Sequence, residues 1–255
     1  MMKSVLITGA ERNSGYGMAR KFLSEGWSVV ITSRNEEQVQ KVAADLEEEF
    51  KIPCYGFGFS PLDAITDTDI LFEKIEKAGI ELDSLVCVAA DLGRWMDPLT
   101  VDGQAWANVL HTNVVGYFMP ARAAVRQMIR TGKAKGATIV FTGSVNYINA
   151  LPERSAYVAS KGAISSMTKA LALDFAKYGV RVNCIAAGAI LTDRYDGLDK
   201  EEFERRRSAI PLHEFSSKET MGEHAYFLAS SASFPMTGSV VVVDGGSTSI
   251  MPGAF

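Results

Sequence analysis

Short apolar runs alternate with longer amphipathic stretches along almost the whole chain. Residues 4–8 and 28–32 are apolar runs bounded by glycine or polar residues, which is typical of strands buried on both faces of a sheet. Residues 36–50 instead carry apolar side chains at helical spacing among many charges, which indicates an amphipathic helix. Regular alternation of the two patterns predicts an α/β fold, a doubly wound parallel sheet with helices on both faces.

The same pattern gives the approximate bounds of each element. Strands are predicted at residues 4–8, 28–32, 54–59, 82–90, 137–142, 181–186 and 239–243. Helices are predicted at residues 17–25, 36–50, 67–78, 103–128, 156–178 and 218–230. Residues 189 to about 215 are charged and lack a clear period, so we predict an irregular segment there. No repeat, low-complexity tract or linker divides the chain, so residues 1–255 are expected to form a single domain.

Composition narrows the functional classes. The chain has 255 residues, of which 47% are hydrophobic, and its net charge of −4 disfavours nucleic acid as a partner. Cys54, Cys87 and Cys184 are widely spaced, so we expect reduced thiols and no metal site. No apolar run reaches the ~18 residues that span a bilayer, and the first strand begins too early for a signal peptide. We therefore expect a soluble, cytoplasmic protein that does not bind membranes.

Tyr157 and Lys161 give the strongest chemical signal. Four residues are just over one helical turn, so the phenol and the ammonium share one face of the helix predicted at 156–178. A neighbouring positive charge favours the ionised form of a phenol. Such a phenol is suited to give a proton to a carbonyl oxygen or to take one from an alcohol. A solvated helix face is the alternative, but the pair follows a strand that leads into Ser144.

A glycine-rich segment, residues 8–17, joins the first strand to the first helix. Its glycines let the backbone turn tightly and approach a pyrophosphate, and the helix N-terminus offers free N–H groups and the positive end of the dipole. A plain turn is the alternative. Because the segment follows the first strand of a repeated βαβ pattern, we interpret it as the dinucleotide-binding loop of a Rossmann-type fold.

In combination, these motifs resemble those of the classical short-chain dehydrogenase/reductase family, nearly from end to end. Asn113 falls where the family keeps its active-site asparagine, and Ser144, Tyr157 and Lys161 match its Ser…YxxxK signature. Three further segments carry the resemblance: residues 8–17 (family pattern TGxxxGxG), 182–192 (VNxIxPGxIxT) and 243–246 (VDGG).

Three departures from the family pattern stand out. Five residues separate Gly9 from Gly15, where the family usually has three, so its phosphate contacts do not transfer one for one. The family's NNAG becomes residues 87–90, Cys-Val-Ala-Ala, and loses both asparagine side chains. Ala187 replaces a proline near the expected nicotinamide site. None of these changes touches the four catalytic positions.

The resemblance implies reversible hydride transfer between a nicotinamide ring and a ketone or secondary alcohol. Tyr157 is expected to be the general acid/base, Ser144 to orient the reacting oxygen, and Lys161 to hold the ribose. Asn113 is expected to anchor a water that relays protons. For Asn113 the alternative is an amide that bonds the backbone, and for Ser144 a simple hydroxyl at a strand end.

The resemblance also assigns a cofactor site, which comprises Gly9, Arg12, Gly15, Gly17, Ser33, Arg34, Asp63, Ala89, Gly188, Ile190 and Thr192. After the second strand the chain has Ser33-Arg34-Asn35, where an NAD enzyme usually has a carboxylate for the ribose 2′-hydroxyl. A guanidinium suits a 2′-phosphate, so we predict a preference for NADP(H), with NAD(H) possible. Each of three assignments has an alternative. Arg34 could be a surface residue that stacks on the adenine, Asp63 could cap a helix N-terminus, and Thr192 could be a simple turn residue.

Substrate recognition is less defined. Five side chains border the family's active site and suggest a mostly apolar pocket for a small carbonyl or alcohol: Trp95, Met96, Tyr147, Leu151 and Tyr195. The segment from 189 to about 215 is predicted to be the substrate lid. The helices at 103–128 and 156–178 carry apolar residues on more than one face, and in similar enzymes they pair, so a homotetramer is expected.

The sequence leaves three alternatives to a carbonyl reductase that uses NADP(H). One is an NAD(H)-dependent alcohol dehydrogenase of the same family. Another is a non-catalytic nucleotide-binding sensor, which the intact set of four catalytic residues disfavours. The third is an enoyl-type reductase of the divergent short-chain kind. Those enzymes resemble a pattern with six residues between the tyrosine and the lysine, whereas three separate Tyr157 from Lys161.

Overall fold

In the structure, a computed structural model that describes residues 2–93 and 96–250, parallel strands form one central sheet. The seven strands of this sheet are β1 Ser4–Thr8, β2 Ser28–Ser33, β3 Cys54–Gly58, β4 Ser84–Cys87, β5 Thr138–Thr142, β6 Arg181–Ala187 and β7 Val240–Val243. Their order across the sheet is β3-β2-β1-β4-β5-β6-β7, and every neighbouring pair is parallel. The predicted Rossmann-type fold is confirmed.

Helices cover both faces of the sheet. They are α1 Asn13–Ser24, α2 Glu36–Phe50, α3 Ala64–Lys77, α4 Gly103–Leu110, α5 Gly116–Arg130, α6 Ser155–Ala176, α7 Lys200–Ser208 and α8 Lys218–Ala229. Successive side chains of β1 alternate between two apolar clusters, as strand geometry requires: Val5 and Ile7 join the cluster under α1, α2 and α8, and Leu6 joins the cluster under α3, α5 and α6. In the described part of the chain, no helix is long and apolar enough to cross a membrane.

The glycine-rich segment is more helical than predicted. Helix α1 begins at Asn13, four residues before the predicted start at Gly17. A Cβ on Gly15 would lie 2.4 Å from the Gly9 carbonyl oxygen, so the first turn of α1 packs directly on the loop backbone. The second half of the segment is therefore the amino end of a helix, and only residues 9–12 form a loop.

The long helix predicted at 103–128 is interrupted. A π-helical turn, His111–Val115, separates α4 from α5. Such a turn adds one residue to a helical circuit and is frequent at functional sites. Asn113 lies in it, so the break falls at a residue that the sequence had singled out for its chemistry.

The segment from 189 to 215 was predicted to be irregular, and this was wrong, because it contains α7. Asp199 caps this helix by accepting a hydrogen bond from the Glu202 N–H at 2.8 Å. Glu202 also pairs with Arg205 and Arg206 one turn later. None of the nine residues of α7 is buried, so the helix has no apolar period to detect.

Parallel strands bring the expected site residues to one edge of the sheet. The order of strands reverses between β1 and β4, and in such sheets a crevice opens beyond the carboxyl ends at that point. The loops after β1, β4, β5 and β6 all leave the sheet at this edge. Strand β4 ends at Cys87, three residues before the predicted end, which leaves residues 88–93 free to line the crevice.

Candidate active site

The structure brings Tyr157 and Lys161 together on α6. Lys161 is 2% exposed, and its Nζ donates to the carbonyl oxygen of Thr142, the last residue of β5, at 3.0 Å. The same Nζ lies 5.5 Å from the centre of the Tyr157 ring. Among the described residues no carboxylate lies within 4.0 Å of this ammonium, so its charge acts on the aromatic rings and the open crevice.

A second tyrosine is almost as close to the ammonium. The ring of Tyr117, on α5, lies 5.8 Å from Lys161 Nζ, and its hydroxyl donates to the same Thr142 carbonyl at 3.2 Å. Tyr117 is wholly buried, and this burial raises the pKa of its phenol well above the ordinary value. Tyr157 is only half-buried, so of the two phenols it is the one that can meet a substrate.

Ser144 stands directly beyond β5 and is 7% exposed. Its Oγ donates to Asn146 Oδ1 at 3.0 Å and accepts from the Asn146 N–H at 3.2 Å, and it thereby caps the short turn Val145–Tyr147. The hydroxyl is thus held in place by a residue that sequence analysis did not identify. A serine followed two residues later by an asparagine is the only sequence signal for this contact.

Asn113 is wholly buried and saturated with hydrogen bonds. Its amide donates to the Asp91 carbonyl at 2.8 Å and to Ser160 Oγ at 2.9 Å, and its oxygen accepts from the Asp91 N–H at 2.7 Å. Ser160 in turn donates to the carbonyl of Tyr157 at 2.7 Å. Both amide hydrogens are therefore used within the protein. The side chain ties the loop after β4 to the turn of α6 that carries Tyr157.

The glycine loop brings two loops close together beside the start of α1. Gly9 has φ +68°, and a Cβ there would lie 2.7 Å from the Ala89 Cβ, so only glycine permits this approach of the loops after β1 and β4. Among the described residues, no side chain caps the first turn of α1, and that turn contains no acidic residue. Uncapped N–H groups at the positive end of a helix dipole suit an anion.

Gly17 packs against the start of α8, whereas Gly9 packs against the loop after β4. A Cβ on Gly17 would lie 2.2 Å from the carbonyl oxygen of Lys218, the first residue of α8. A similar restriction applies to Gly188, where a Cβ would lie 2.7 Å from the Cα of Asp244. In the structure, both glycines allow close packing of neighbouring segments.

The end of β2 gains an acidic neighbour from another segment. Residues 33–35 contain no carboxylate, but the glycine loop places that of Glu11 beside Ser33. Ser33 Oγ donates to Glu11 Oε2 at 2.5 Å. Arg34 is exposed beside it. Glu11 is one of the five residues between Gly9 and Gly15, where the family usually has three.

The remaining cofactor candidates lie along the same crevice. Arg12 pairs with Asp193 at 3.1 Å, and Asn13 Oδ1 accepts from the Asp193 N–H at 3.3 Å. The loop after β1 is thus joined to the start of the 189–215 segment, next to Thr192. Ile190 forms an isolated parallel bridge with Ser216, which closes the base of that segment. Asp63 occupies the N-cap position of α3, and among the described residues its side chain makes no capping hydrogen bond.

Of the five substrate candidates, the structure describes four: Met96, Tyr147, Leu151 and Tyr195. The N–H of Met96 donates to the carbonyl of Glu153 at 2.9 Å, which fastens the loop after β4 to the segment before α6. Leu151, in that segment, is 47% exposed. Tyr147 follows Ser144, but it lines an open cavity along α6. Trp95 lies outside the described residues.

Tyr195 belongs to an aromatic cluster that holds the 189–215 segment together. Its ring centre lies 4.8 Å from that of Phe215 and 6.4 Å from that of Phe203, on α7. Phe203 and Phe215 are 5.2 Å apart. This segment therefore has a small apolar core of its own.

The three cysteines are not candidates for catalysis. Cys54, Cys87 and Cys184 are free and buried. Burial raises the pKa of the Cys184 thiol to about 11 and that of Cys54 to about 12. All three thiols are therefore neutral near pH 7, and a neutral thiol is a poor nucleophile.

Comparison with known proteins agrees with this geometry. A family model described as enoyl-(acyl carrier protein) reductase matches residues 9–248. A 3-oxoacyl-[acyl-carrier-protein] reductase of Chlamydia muridarum is 30% identical over 246 residues, or 96% of each protein. A glucose 1-dehydrogenase of Gluconobacter oxydans is 32% identical, over 96% of this chain and 92% of the relative.

Solved structures are similar over the same length. The crystal structure of acetoin dehydrogenase from Enterobacter cloacae is 26% identical to this chain and has a TM-score of 0.88, with 100% of this chain and 99% of the other covered. The chain therefore belongs to the short-chain dehydrogenase/reductase family and is an oxidoreductase, as its motifs predicted.

Proposed function

We propose that this oxidoreductase interconverts a small ketone and its secondary alcohol, with Tyr157 as the general acid/base. The observation that carries the proposal is the buried ammonium of Lys161, which has no carboxylate partner among the described residues and lies 5.5 Å from the Tyr157 ring. A bound nicotinamide nucleotide would supply or accept the hydride. The protein's contribution is to hold the reacting oxygen and to move one proton.

Each of the four predicted catalytic residues has a distinct part in this proposal. In the reducing direction, Tyr157 gives its proton to the oxygen of the carbonyl group, and the ammonium of Lys161 stabilises the phenolate that remains. Ser144 donates to the same oxygen once its hydroxyl turns away from Asn146. Asn113 is a positioning residue, since its hydrogen bonds fix the loop after β4 and the backbone of Tyr157.

For the nucleotide we propose a preference for NADP(H). The loop around Gly9 and the amino end of α1 would hold the pyrophosphate, and Arg34 is an exposed cation at the end of β2 that suits a 2′-phosphate. Arg12 is the second cation, although Asp193 already engages it. Use of NAD(H) is the alternative, and the carboxylate of Glu11 beside Ser33 favours it.

The substrate is proposed to be a small carbonyl compound bound between residues 96, 147 and 151 and the 189–215 lid. The similar proteins are named for three different substrates, a 3-oxoacyl thioester, glucose and acetoin. Oxidation of NADPH and NADH should be followed with ketones, aldehydes, 3-oxoacyl esters and enones. Turnover of a ketone supports the proposal, and turnover of enones alone would replace it with double-bond reduction.

A homotetramer is proposed as the assembly. Leu173, on α6, is 80% exposed, and within the described part of the chain no strand pairs with the outer edge of β7. An open edge strand and an uncovered apolar side chain are both surfaces that a second copy can cover. Light scattering should give four times the 27.6 kDa of one chain. A mass of one chain would contradict the assembly and leave the proposed chemistry intact.

A further inference from the structure

The lengthened glycine loop gives the nucleotide site an acidic group that the end of β2 itself lacks. Glu11 lies between Gly9 and the start of α1, and its carboxylate reaches Ser33, the last residue of β2. Ser33 Oγ donates to Glu11 Oε2 at 2.5 Å. The residues that follow β2 are Arg34 and Asn35, neither of which is acidic. In this fold, the end of β2 is where a carboxylate or an arginine selects between the two forms of the adenosine ribose.

The carboxylate of Glu11 is held firmly but not neutralised. Its side chain is 25% exposed, and the nearest cation is the Nε of Arg12, 4.0 Å from Oε1. The guanidinium of Arg12 makes its shorter contact with Asp193, at 3.1 Å. Among the described residues, Arg34 makes no ion pair with Glu11 within 4.0 Å. Within the described part of the chain, the contact at 4.0 Å with Arg12 is thus the one ion pair that Glu11 makes.

Ser33 fixes the position of that charge. Besides donating to Glu11, its Oγ accepts from the Asn35 N–H at 3.1 Å. Asn35 caps α2 by accepting from the Gln38 N–H at 3.0 Å. The carboxylate is thus tied through Ser33 to a strand end and a helix start, so little further ordering is needed before it meets a ligand.

We propose that Glu11 is a specificity-determining residue for the nucleotide, and that it opposes Arg34. Its carboxylate accepts a hydrogen bond from an adenosine ribose 2′-hydroxyl and repels a 2′-phosphate. Arg34 has the reverse effect, because a guanidinium attracts the phosphate. The enzyme consequently uses both NADPH and NADH, with a smaller preference than Arg34 alone would give. This inference rests on the proposed function, since it requires a nicotinamide nucleotide in the crevice.

The test is a set of dissociation constants for NADPH and NADH, measured by the change in nucleotide or protein fluorescence. The variant Glu11→Gln removes the charge but keeps an oxygen that can accept from Ser33. We expect it to bind NADPH about tenfold more tightly than the wild type and to bind NADH somewhat more weakly. The control Glu48→Gln removes one charge from an exposed position on α2 and should alter neither constant.

Two further measurements separate the charge from a change of shape. Ser33→Ala removes the hydrogen bond that holds the Glu11 carboxylate. It should change the ratio of the two dissociation constants in the same direction as Glu11→Gln, but by a smaller factor. High salt should shrink the effect of Glu11→Gln, because ionic strength screens the repulsion between a carboxylate and a phosphate.

Each outcome decides the inference. If Glu11→Gln changes the two constants by the same factor, or changes neither, Glu11 is not a selector, and the proposed function stands. If the wild type binds neither nucleotide, the proposed function fails and the role of Glu11 fails with it. If the ratio of the NADPH and NADH dissociation constants shifts as expected but the enzyme turns over without the Tyr157 hydroxyl, the role of Glu11 is supported and the proposed mechanism is contradicted.

Discussion

The two ends of the crevice hold their polar groups in different ways. Around Tyr157 the groups are buried and joined by short hydrogen bonds, with Asn113 wholly buried and Lys161 2% exposed. Around Glu11 the charges are more open to solvent: the side chain of Arg12 is 68% exposed and that of Glu11 25% exposed, and Arg34 is also exposed. A buried network is costly to disturb, because every unpaired polar group loses a full hydrogen bond. An exposed set of charges is adjustable, because solvent and salt offset each change.

The residues proposed for catalysis lie at the buried end, and those proposed to select the nucleotide lie at the exposed end. The buried end combines residues from β5, the π-helical turn and α6, whose positions relative to each other are fixed by regular structure. The exposed end depends on the length of one loop. Substitutions at the buried end should therefore lower turnover, stability or both, and substitutions at the exposed end should shift the choice of nucleotide while turnover survives.

Replacing Tyr157 with phenylalanine is expected to have the largest effect. The ring remains and the proton donor is lost, so turnover should fall by about 10²–10⁴-fold. The nucleotide dissociation constant should not change, since the phenol is not proposed to hold the nucleotide. Initial rates and fluorescence titration on the same preparation measure the two quantities.

Tyr117→Phe is the matched control for that experiment. It removes a phenol that is nearly as close to Lys161 but wholly buried, so we expect a loss of stability of about 1 kcal/mol and most of the turnover to remain. If Tyr117→Phe were the inactive variant and Tyr157→Phe the active one, the assignment of the acid would be reversed.

Asn113→Ala tests whether the buried end is held by its hydrogen bonds. The change leaves both backbone groups of Asp91 and the hydroxyl of Ser160 without their partner, so unfolding free energy should fall by about 3 kcal/mol. Asn108→Ala, at a half-buried position of α4 where the amide oxygen accepts only from Gln104 among the described residues, should change it by about 0.5 kcal/mol. Urea denaturation measures both. Equal losses would mean that the Asn113 network contributes no more than a surface amide.

The buried end could be predicted from the sequence, and the reason is geometric. Tyr157 and Lys161 are four residues apart on one helix, and parallel strands that end at one edge bring Ser144 to the same place. The partners of these residues were not predictable. Asn146 fixes Ser144 through a local turn, and Ser160 accepts from Asn113, which lies in a π-helical turn that the hydrophobic pattern did not indicate.

The exposed end could not be predicted to the same extent, because its contacts join residues far apart in sequence without any periodic signal. The glycines indicated a turn between the first strand and the first helix, but they did not indicate that Glu11 in that turn contacts Ser33. Helix α7 was missed for a related reason: its stability comes from a cap and from charge pairs rather than from a buried face. A hydrophobic pattern reveals helices and strands that bury an apolar face, and it does not reveal an exposed helix such as α7.

Arg34→Ala tests the exposed end of the crevice, where Arg34 is proposed to bind the 2′-phosphate of NADPH. A charge-assisted hydrogen bond is worth roughly 1.5–3 kcal/mol, so NADPH should bind about ten- to a hundredfold more weakly. NADH should bind almost as before, and turnover with NADH should survive. Equal losses for the two nucleotides would show that Arg34 packs on the adenine instead of meeting a phosphate.

The ion pair between Arg12 and Asp193 should show the smallest effect. It joins the glycine loop to the 189–215 segment at 3.1 Å, but the two side chains are 68% and 42% exposed. Water and salt weaken such a pair, and the two side chains lose rotamer freedom in forming it, so a double-mutant cycle with Arg12→Gln and Asp193→Asn should give a coupling energy below about 1 kcal/mol. Urea denaturation of the four proteins provides the values. A coupling of several kcal/mol would mean that this end of the crevice is as rigidly held as the end at Tyr157, and the contrast between the two would disappear.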